Sequence, residues 1–149
     1  MENKISIGRK DIILMVLNNF KKVYGKTYLQ KLLFIIKNEL KLKEFDYDAY
    51  FYGPYSKDLN DDVSELIEEG LINEEIQVLK NDNECYIYSL TNQGKDYFEQ
   101  KISTSVDTAI KDQIDKICSR FSNFTPTQLL KYVYQIYPKS AENSVFFDN

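Results

Sequence analysis

Residues 45–72 have the sequence FDYDAYFYGPYSKDLNDDVSELIEEGLI, and the rest of the chain is organised around this stretch. Alternating side chains over residues 47–52 predict a short β-strand with two unlike faces, which Gly53-Pro54 is expected to stop. Ser56 is a good N-cap, so a helix is predicted from there to Gly70. Its buried stripe would consist of Leu59, Val63, Leu66 and Ile67.

Two apolar helices are predicted before this stretch. Residues 10–24 have apolar side chains at helical spacing and end at Gly25, which suits the left-handed end of a helix. Thr27 is expected to cap a second helix, with Lys31 and Lys37 outside its apolar stripe. Both helices should contribute to the core.

A β-hairpin is predicted after the stretch. Residues 75–79 and 84–90 are rich in β-forming side chains, and the polar residues 80–83 between them suit a tight turn. Thr91 is then expected to cap another helix.

Two more helices are predicted at the C-terminal end. Residues 103–123 form an amphipathic pattern, and Thr125, Pro126 and Gln128 form a capping box with proline in the first helical position. Pro138 should end this last helix. Its inward side chains are expected to be Leu129, Leu130, Val133 and Ile136.

The order helix, helix, strand, helix, hairpin, helix is expected of a winged helix. We therefore predict an α+β, mostly helical fold. Residues 1–102 would form a winged-helix-like domain with a small antiparallel sheet, made of a β-hairpin wing plus one strand. Residues 103–149 would form a C-terminal helical extension packed on it.

Composition argues against an enzyme. The chain has no histidine, its five glycines are isolated, and Cys85 and Cys118 lie in different predicted elements. The chain therefore lacks the commonest general base and zinc ligand, and it also lacks a glycine-rich phosphate loop. We therefore expect no catalytic residues, no metal and no cofactor, with two reduced thiols.

No apolar run approaches the roughly 18 residues that cross a membrane, and no signal-peptide pattern is present. A cytoplasmic protein without a membrane partner is expected.

Charge is distributed unevenly along the chain. Residues 1–45 carry ten Lys/Arg and four Asp/Glu, whereas residues 46–80 carry two and ten. Blocks of opposite sign often mark distinct binding faces. The third helix exposes Lys57 beside a set of carboxylates that would oppose insertion into a DNA groove. These carboxylates are Asp58, Asp61, Asp62, Glu65, Glu68 and Glu69.

Two groups of residues resemble a known family. The runs LQKLLF at 29–34 and FYGPYS at 51–56, with Leu59 and the GLI run at 70–72, are similar to the YwgA-like group of small bacterial and archaeal proteins. The run LLKYVYQIYP at 129–138 is similar to the same group. More distantly, the first set resembles the Panacea (SocA-like) antitoxin domain.

The YwgA-like resemblance implies a winged-helix-like domain without known catalysis. The Panacea resemblance implies binding and neutralisation of unrelated toxins, sometimes by linking one to a protease. The chain departs from the Panacea group in having Tyr55-Ser56 directly after Gly53-Pro54 and in its separate C-terminal helices.

The leading hypothesis is a non-enzymatic protein-interaction module, either antitoxin-like or a subunit of a larger defence or regulatory complex. Large aromatic side chains anchor interfaces, and charges steer association. The predicted partner-binding residues are Tyr50, Tyr52, Tyr55, Lys57, Asp61, Glu65 and Glu68.

The alternative is a DNA-binding transcriptional regulator that acts as a homodimer through the basic first two helices and the wing. The predicted nucleic-acid-binding residues are Lys21, Lys22, Lys26, Lys31, Lys80 and Asn81.

Overall fold

The computed structural model of the protein describes residues 8–43, 47–50 and 53–141. In chain order its elements are α1 (Arg9–Asn18), β1 (Val23–Tyr24), α2 (Lys26–Glu39), β2 (Asp48–Tyr50), β3 (Gly53–Tyr55), α3 (Lys57–Glu68), β4 (Ile72–Val78), β5 (Glu84–Leu90), α4 (Asn92–Tyr97), α5 (Thr108–Phe121) and α6 (Pro126–Ile136). A π-helical turn (Phe98–Ile102) continues α4, and a 3₁₀ turn (Pro138–Ala141) follows α6. The predicted α+β, mostly helical fold is confirmed.

A small antiparallel sheet of a hairpin plus one strand is present, but the predicted strand over residues 47–52 is not part of it. Its strand order is β1-β5-β4, and β4 and β5 form the predicted hairpin. The added strand is β1, in which Val23 lies opposite Tyr88. β2 and β3 form a separate two-stranded sheet, in which Asp48 lies opposite Tyr55.

The prediction of one helix over residues 10–24 was wrong. α1 ends at Asn18, and Val23 is buried in the sheet instead. Gly25 has a φ of +106° and precedes α2, so it does not close α1. The helical spacing of apolar residues was overridden because pairing with β5 satisfies the backbone of this segment.

Two other boundaries differ from prediction. Gly53 begins β3 rather than stopping a strand. α5 begins only at Thr108, because the Asp107 side chain accepts a 2.7 Å hydrogen bond from the Ala109 N–H and caps the helix there.

α6 has the predicted start but not the whole predicted inner face. Both reciprocal hydrogen bonds of the capping box between Thr125 and Gln128 are present, with Pro126 in the first turn. Leu129 is fully buried, whereas Ile136 is 51% exposed and was wrongly predicted to face inward. Ile136 is the last residue of α6.

α1 lies at the centre of the molecule. Every side chain from Ile12 to Leu17 is at most 1% exposed, because α1 is packed against α3, α5, β5 and the π-helical turn. α5 and α6 also pack against α2, and their buried side chains belong to the same hydrophobic cluster as those of α1. The division into residues 1–102 and 103–149 stays a prediction.

Candidate functional site

Two buried side chains of α2 hold the backbone that leads into α3. Gln30 donates from Nε2 to the Ser56 carbonyl oxygen at 2.9 Å and accepts from the Ser56 N–H at 2.8 Å. One side-chain amide therefore satisfies both backbone groups of a fully buried residue. We call the residues Gln30, Lys31, Pro54 and Ser56 the α2–α3 clamp.

Lys31 is the second side chain in the clamp. Its Nζ donates to the Pro54 carbonyl oxygen at 2.9 Å, and only 3% of the residue is exposed. Burial lowers the pKa of the Lys31 ammonium from 10.5 to about 8. The prediction that Lys31 lies outside the apolar stripe, available to a phosphate, was wrong because β3 packs over this side of α2.

Ser56 connects the clamp to α3. Its hydroxyl accepts a 3.2 Å hydrogen bond from the Leu59 N–H, as predicted for the N-cap. Gln30 and Lys31 come from the LQKLLF run, and Pro54 and Ser56 from the FYGPYS run. These four residues, two from each sequence motif, therefore connect α2 to the start of α3 and fix where α3 begins.

The carboxylates of α3 are not all on a solvated face. Asp62 is 3% exposed and accepts two hydrogen bonds from Arg9, at 2.7 Å from Nε and 3.1 Å from Nη2. Arg9 also lies 3.4 Å from Asp58. The prediction that Asp62 faces solvent was wrong, because the N-terminal turn of α1 lies against this part of α3.

Further along α3, Lys10 forms ion pairs with Glu65 at 3.2 Å and Glu69 at 3.0 Å. Lys57 pairs with Asp61 at 3.0 Å within the helix. The five carboxylates of α3 and that of its C-cap Glu69 thus lie beside three cations, which leaves an excess of three negative charges. We call this surface of α1 and α3 the acidic patch.

The predicted tyrosine anchors are only partly covered by the structure. Tyr52 lies outside the described residues, and for Tyr50 the backbone of β2 is described but the side chain is not. Tyr55 ends β3 and is half-buried. The tyrosine surface therefore remains a prediction.

The predicted basic residues are dispersed. Lys21 is exposed, Lys22 forms a 3.3 Å ion pair with Glu75, and the Lys26 Nζ lies 4.1 Å from the centre of the Tyr86 ring. A cation over an aromatic face is attracted by the ring electrons. Lys22 and Lys26 already contact groups of the small sheet.

Lys80 and Asn81 are exposed in the hairpin turn. The Asn81 side chain accepts a 3.2 Å hydrogen bond from the Asn83 N–H, and Asp82 adopts a left-handed φ of +63°. Asn81 therefore stabilises the turn that presents Lys80.

A small aromatic cavity of about 110 Å³ lies between the segment after α1 and the start of α6. Below it, the Tyr28 hydroxyl donates to the Phe121 carbonyl oxygen at 2.7 Å, and burial raises the pKa of Tyr28 to about 12. The lining residues are Phe20, Lys22, Val23, Tyr24, Tyr28, Ser122, Phe124 and Pro126. They offer stacking surfaces but no carboxylate.

Neither cysteine is paired with the other. Cys118 is buried, and burial raises the pKa of its thiol to about 12, whereas Cys85 is half-buried in β5. A thiol that keeps its proton is a poor nucleophile. Within the described ranges, no group of three or more His, Cys, Asp or Glu could hold a metal ion.

Within those same ranges, no helix is both long and apolar enough to cross a bilayer.

One exposed feature was missed by the sequence analysis. Ile76, Val78 and Leu79 in and beside β4 are 55%, 65% and 43% exposed. The predicted hairpin included these residues, but their pattern does not indicate which face of the hairpin remains uncovered. Their exposure depends on what packs against the hairpin, so alternation alone could not identify them.

These features describe a small α+β protein whose buried polar groups join its helices. No protein-family model matches the chain. The chain is similar to the uncharacterized protein YwgA of Bacillus subtilis (strain 168), with 31% identity over 113 residues. The match covers 75% of this chain and 66% of YwgA, and it supports a YwgA-like relationship.

Proposed function

We propose that this chain is a non-enzymatic protein-interaction module that binds a positively charged surface of another protein. The observation that carries this proposal is the excess of three negative charges on the acidic patch after internal ion pairing. Such an excess attracts basic partners and repels phosphate backbones. The α2–α3 clamp holds the helix that bears most of these charges in one position.

The contact surface would include the exposed part of α3, with Lys57, Asp61, Glu65 and Glu68, and the half-buried Tyr55 at its start. The predicted anchors Tyr50 and Tyr52 precede it in the chain. Charged groups around aromatic anchors set association rate and specificity.

We further propose that the scaffold is winged-helix-like. Two observations support this assignment. Apart from the separate β2–β3 hairpin, the elements follow the order α1, β1, α2, α3, β4, β5 along the chain, and the strands lie in the order β1-β5-β4 in the sheet. The partner would be a toxin-like protein or a subunit of a larger complex, as the Panacea-like motif suggests. Two unpaired cysteines suit a cytoplasmic location.

Charge reversal on the acidic patch tests the function. The variant Asp61→Lys/Glu68→Lys should lose at least about tenfold in partner recovery in quantitative affinity capture, because two attractive pairs become repulsive. Recovery of the same partner by wild type should fall as salt rises.

The matched control is Glu99→Lys/Asp112→Lys, which makes the same change of charge at exposed residues of the π-helical turn and α5. The control should retain the partner. Equal recovery by the two double variants would refute the proposed surface, since only net charge would then matter.

A DNA-binding transcriptional regulator is the alternative. The exposure of Lys21, Lys80 and Asn81 favours it, but the buried Lys31 cannot contribute. Duplex binding should then be measurable by fluorescence anisotropy at about 50 mM salt and fall at least tenfold at about 200 mM. Lack of binding at low salt would eliminate this alternative.

A further inference from the structure

β4 is an edge strand, and its hydrogen-bond pattern shows which of its backbone groups point outward. The Leu79 N–H donates to the Asn83 carbonyl oxygen at 2.7 Å, and the Thr91 N–H donates to the Leu71 carbonyl oxygen at 3.1 Å. In an antiparallel pair, residues that bond to the neighbouring strand alternate with residues that do not. Odd-numbered residues of β4 therefore bond to β5.

The backbone N–H and C=O groups of Glu74, Ile76 and Val78 consequently point to the other edge of β4. In the part of the chain that the structure describes, no strand pairs with that edge. An edge of this kind is a template for another strand.

The side chains of β4 leave this edge accessible. β4 contains no proline and no lysine, the residues that most often protect an edge. Ile76 and Val78 point to the same face and are more than half exposed.

Each of the two acidic side chains of β4 has a partner within the chain. Glu74 accepts a 2.8 Å hydrogen bond from the Tyr88 hydroxyl on β5, and Glu75 forms its 3.3 Å ion pair with Lys22. Tyr88 and Lys22 both lie toward the opposite side of the sheet, in β5 and next to β1. The ion pair with Lys22 offsets the charge of Glu75, whereas the charge of Glu74 remains for a cation of a strand that pairs with this edge.

We propose that two copies of this chain associate by antiparallel pairing of β4 with β4 about a two-fold axis at Gln77. In this register Ile76 lies opposite Val78 of the second copy, and the outward backbone groups of these residues bond to each other. Glu74 lies opposite Lys80 of the second copy, so opposite charges approach. The two sheets become one continuous sheet.

Other two-fold registers are less favourable. An axis at Glu74 or Glu75 sets that carboxylate against its own copy, which is destabilising. An axis at Ile76 sets Val78 against Glu74. Only the Gln77 axis combines two apolar pairs with two pairs of opposite charge.

This contact does not use the acidic patch, so it goes beyond the proposed function and does not depend on it. A single strand pair buries less than the roughly 1,600 Å² of a typical stable interface. The dimer should therefore form in the micromolar range and depend on concentration.

Sedimentation equilibrium of the full chain from about 5 to about 500 μM tests the proposal. The mean mass should rise from 17.6 kDa toward twice that value. Ile76→Lys should shift the midpoint at least about tenfold to higher concentration, because it places a charge at the apolar pair. Ile136→Lys is the matched control, since Ile136 is 51% exposed on α6 and Ile76 is 55% exposed. It should dimerise like wild type.

Disulfide trapping tests the register. Cys85 lies opposite Gln77 within the hairpin, so Gln77→Cys must be made together with Cys85→Ser. Residues facing each other in a non-hydrogen-bonded pair are about 4.5 Å apart at Cα, within the range of a disulfide. Mild oxidation should link Gln77→Cys chains into covalent dimers.

Three results would overturn the proposal. Wild type could remain at the monomer mass at the highest concentration, or Ile76→Lys could dimerise as readily as Ile136→Lys. Cross-linking through Ile76→Cys, but not through Gln77→Cys, would overturn the Gln77 register.

Discussion

Two buried polar side chains of α2 bond to backbone groups elsewhere in the chain. Gln30 and Lys31 are neighbours in α2, yet both reach the segment from Pro54 to Ser56. An unpaired buried carbonyl or N–H costs about 1–3 kcal/mol, so each of these hydrogen bonds prevents a penalty. The same contacts explain why a polar QK pair stands within an apolar run.

Lys31 should make stability depend on pH. Because burial lowers its folded-state pKa from 10.5 to about 8, the unfolded chain binds more protons between these values. Lys31 should therefore contribute a rise of about 2 kcal/mol in the free energy of unfolding from pH 7.5 to pH 9.5. Cys118 and Tyr28, whose pKa values are raised by burial, contribute a fall over the same interval, so the Lys31 contribution is the difference between wild type and a variant without the amine. Urea denaturation at a series of pH values measures this.

Lys31→Met is the control for the pH effect, because it keeps a long side chain without an amine. Its free energy of unfolding should fall over the same interval, because the unfolded chain loses the Cys118 and Tyr28 protons before the folded protein does. The difference between wild type and Lys31→Met should rise by about 2 kcal/mol. An identical pH dependence in wild type and Lys31→Met would show that another group is responsible.

Gly94 should be intolerant of any side chain. A Cβ at this position would lie 2.1 Å from the Leu71 carbonyl oxygen, which belongs to the backbone and cannot rotate away. Gly94→Ala should therefore lower the free energy of unfolding by at least about 2 kcal/mol, although alanine favours helices.

Gly8→Ala is the comparison for Gly94→Ala. Its nearest contact would be the Asp11 side chain at an ordinary 3.6 Å, so a change below about 1 kcal/mol is expected. Chemical denaturation of both variants distinguishes a steric clash with the Leu71 carbonyl oxygen from a general effect of replacing glycine.

At the scale of elements, the contact of α1 with α3 is ionic at its surface and apolar inside. Arg9 and Lys10 begin α1 and pair with carboxylates on successive turns of α3. Exposed ion pairs contribute little to the free energy of unfolding, whereas a buried carboxylate without its partner destabilises the fold. Asp62 is the buried member of this set.

Loss of the partner of Asp62 should be costly. Arg9→Met should lower the free energy of unfolding by about 2–3 kcal/mol, because it leaves a buried carboxylate without its two hydrogen bonds. Lys57→Met removes a pair whose members are 83% and 52% exposed, so it should leave the free energy of unfolding nearly unchanged. Thermal or urea denaturation measures both.

The double variant Arg9→Met/Asp62→Leu should recover part of the stability that Arg9→Met loses, since no charge remains buried. Equal effects of Arg9→Met and Lys57→Met would contradict a special role of Asp62.

At the scale of the whole molecule, α5 and α6 contribute buried side chains to the core rather than lying on its surface. Ile114, Leu129 and Val133 are fully buried, and their helices pack against α1 and α2. Tyr28 of α2 also donates to the carbonyl oxygen of Phe121 at the end of α5. This packing bears directly on the predicted boundary after residue 102.

A chain shortened to residues 1–102 should not unfold cooperatively. Its α1 and α2 would expose apolar side chains that α5 and α6 cover. Such exposure lowers the free energy of unfolding by about 25 cal/mol for each Å² of apolar surface. Circular dichroism during thermal denaturation, beside the full chain, measures the transition. A sharp transition in the shortened chain would instead support an autonomous winged-helix-like domain.

Local features were predictable where short-range geometry controls them. Ser56, Thr91 and Thr125 were predicted as caps and all accept backbone hydrogen bonds. The β4–β5 hairpin followed from its polar turn. For the candidate site, the acidic character of α3 could be predicted, but its ion pairs with Arg9 and Lys10 could not, because they join residues 49 or more positions apart.

Local sequence was sufficient to predict the α+β class, the hairpin and the excess of acid on α3, because each depends on neighbours within a few residues. It also predicted helix N-caps correctly, except for Thr27, which lies inside α2 after the N-cap Gly25. Only the tertiary structure decided that Val23 joins a strand and that Lys31 and Asp62 are buried. It also decided that, among the described residues, no strand pairs with the outer edge of β4. These outcomes depend on which distant element covers a surface, and burial changes the energy of a charge or a backbone group more than local propensity does.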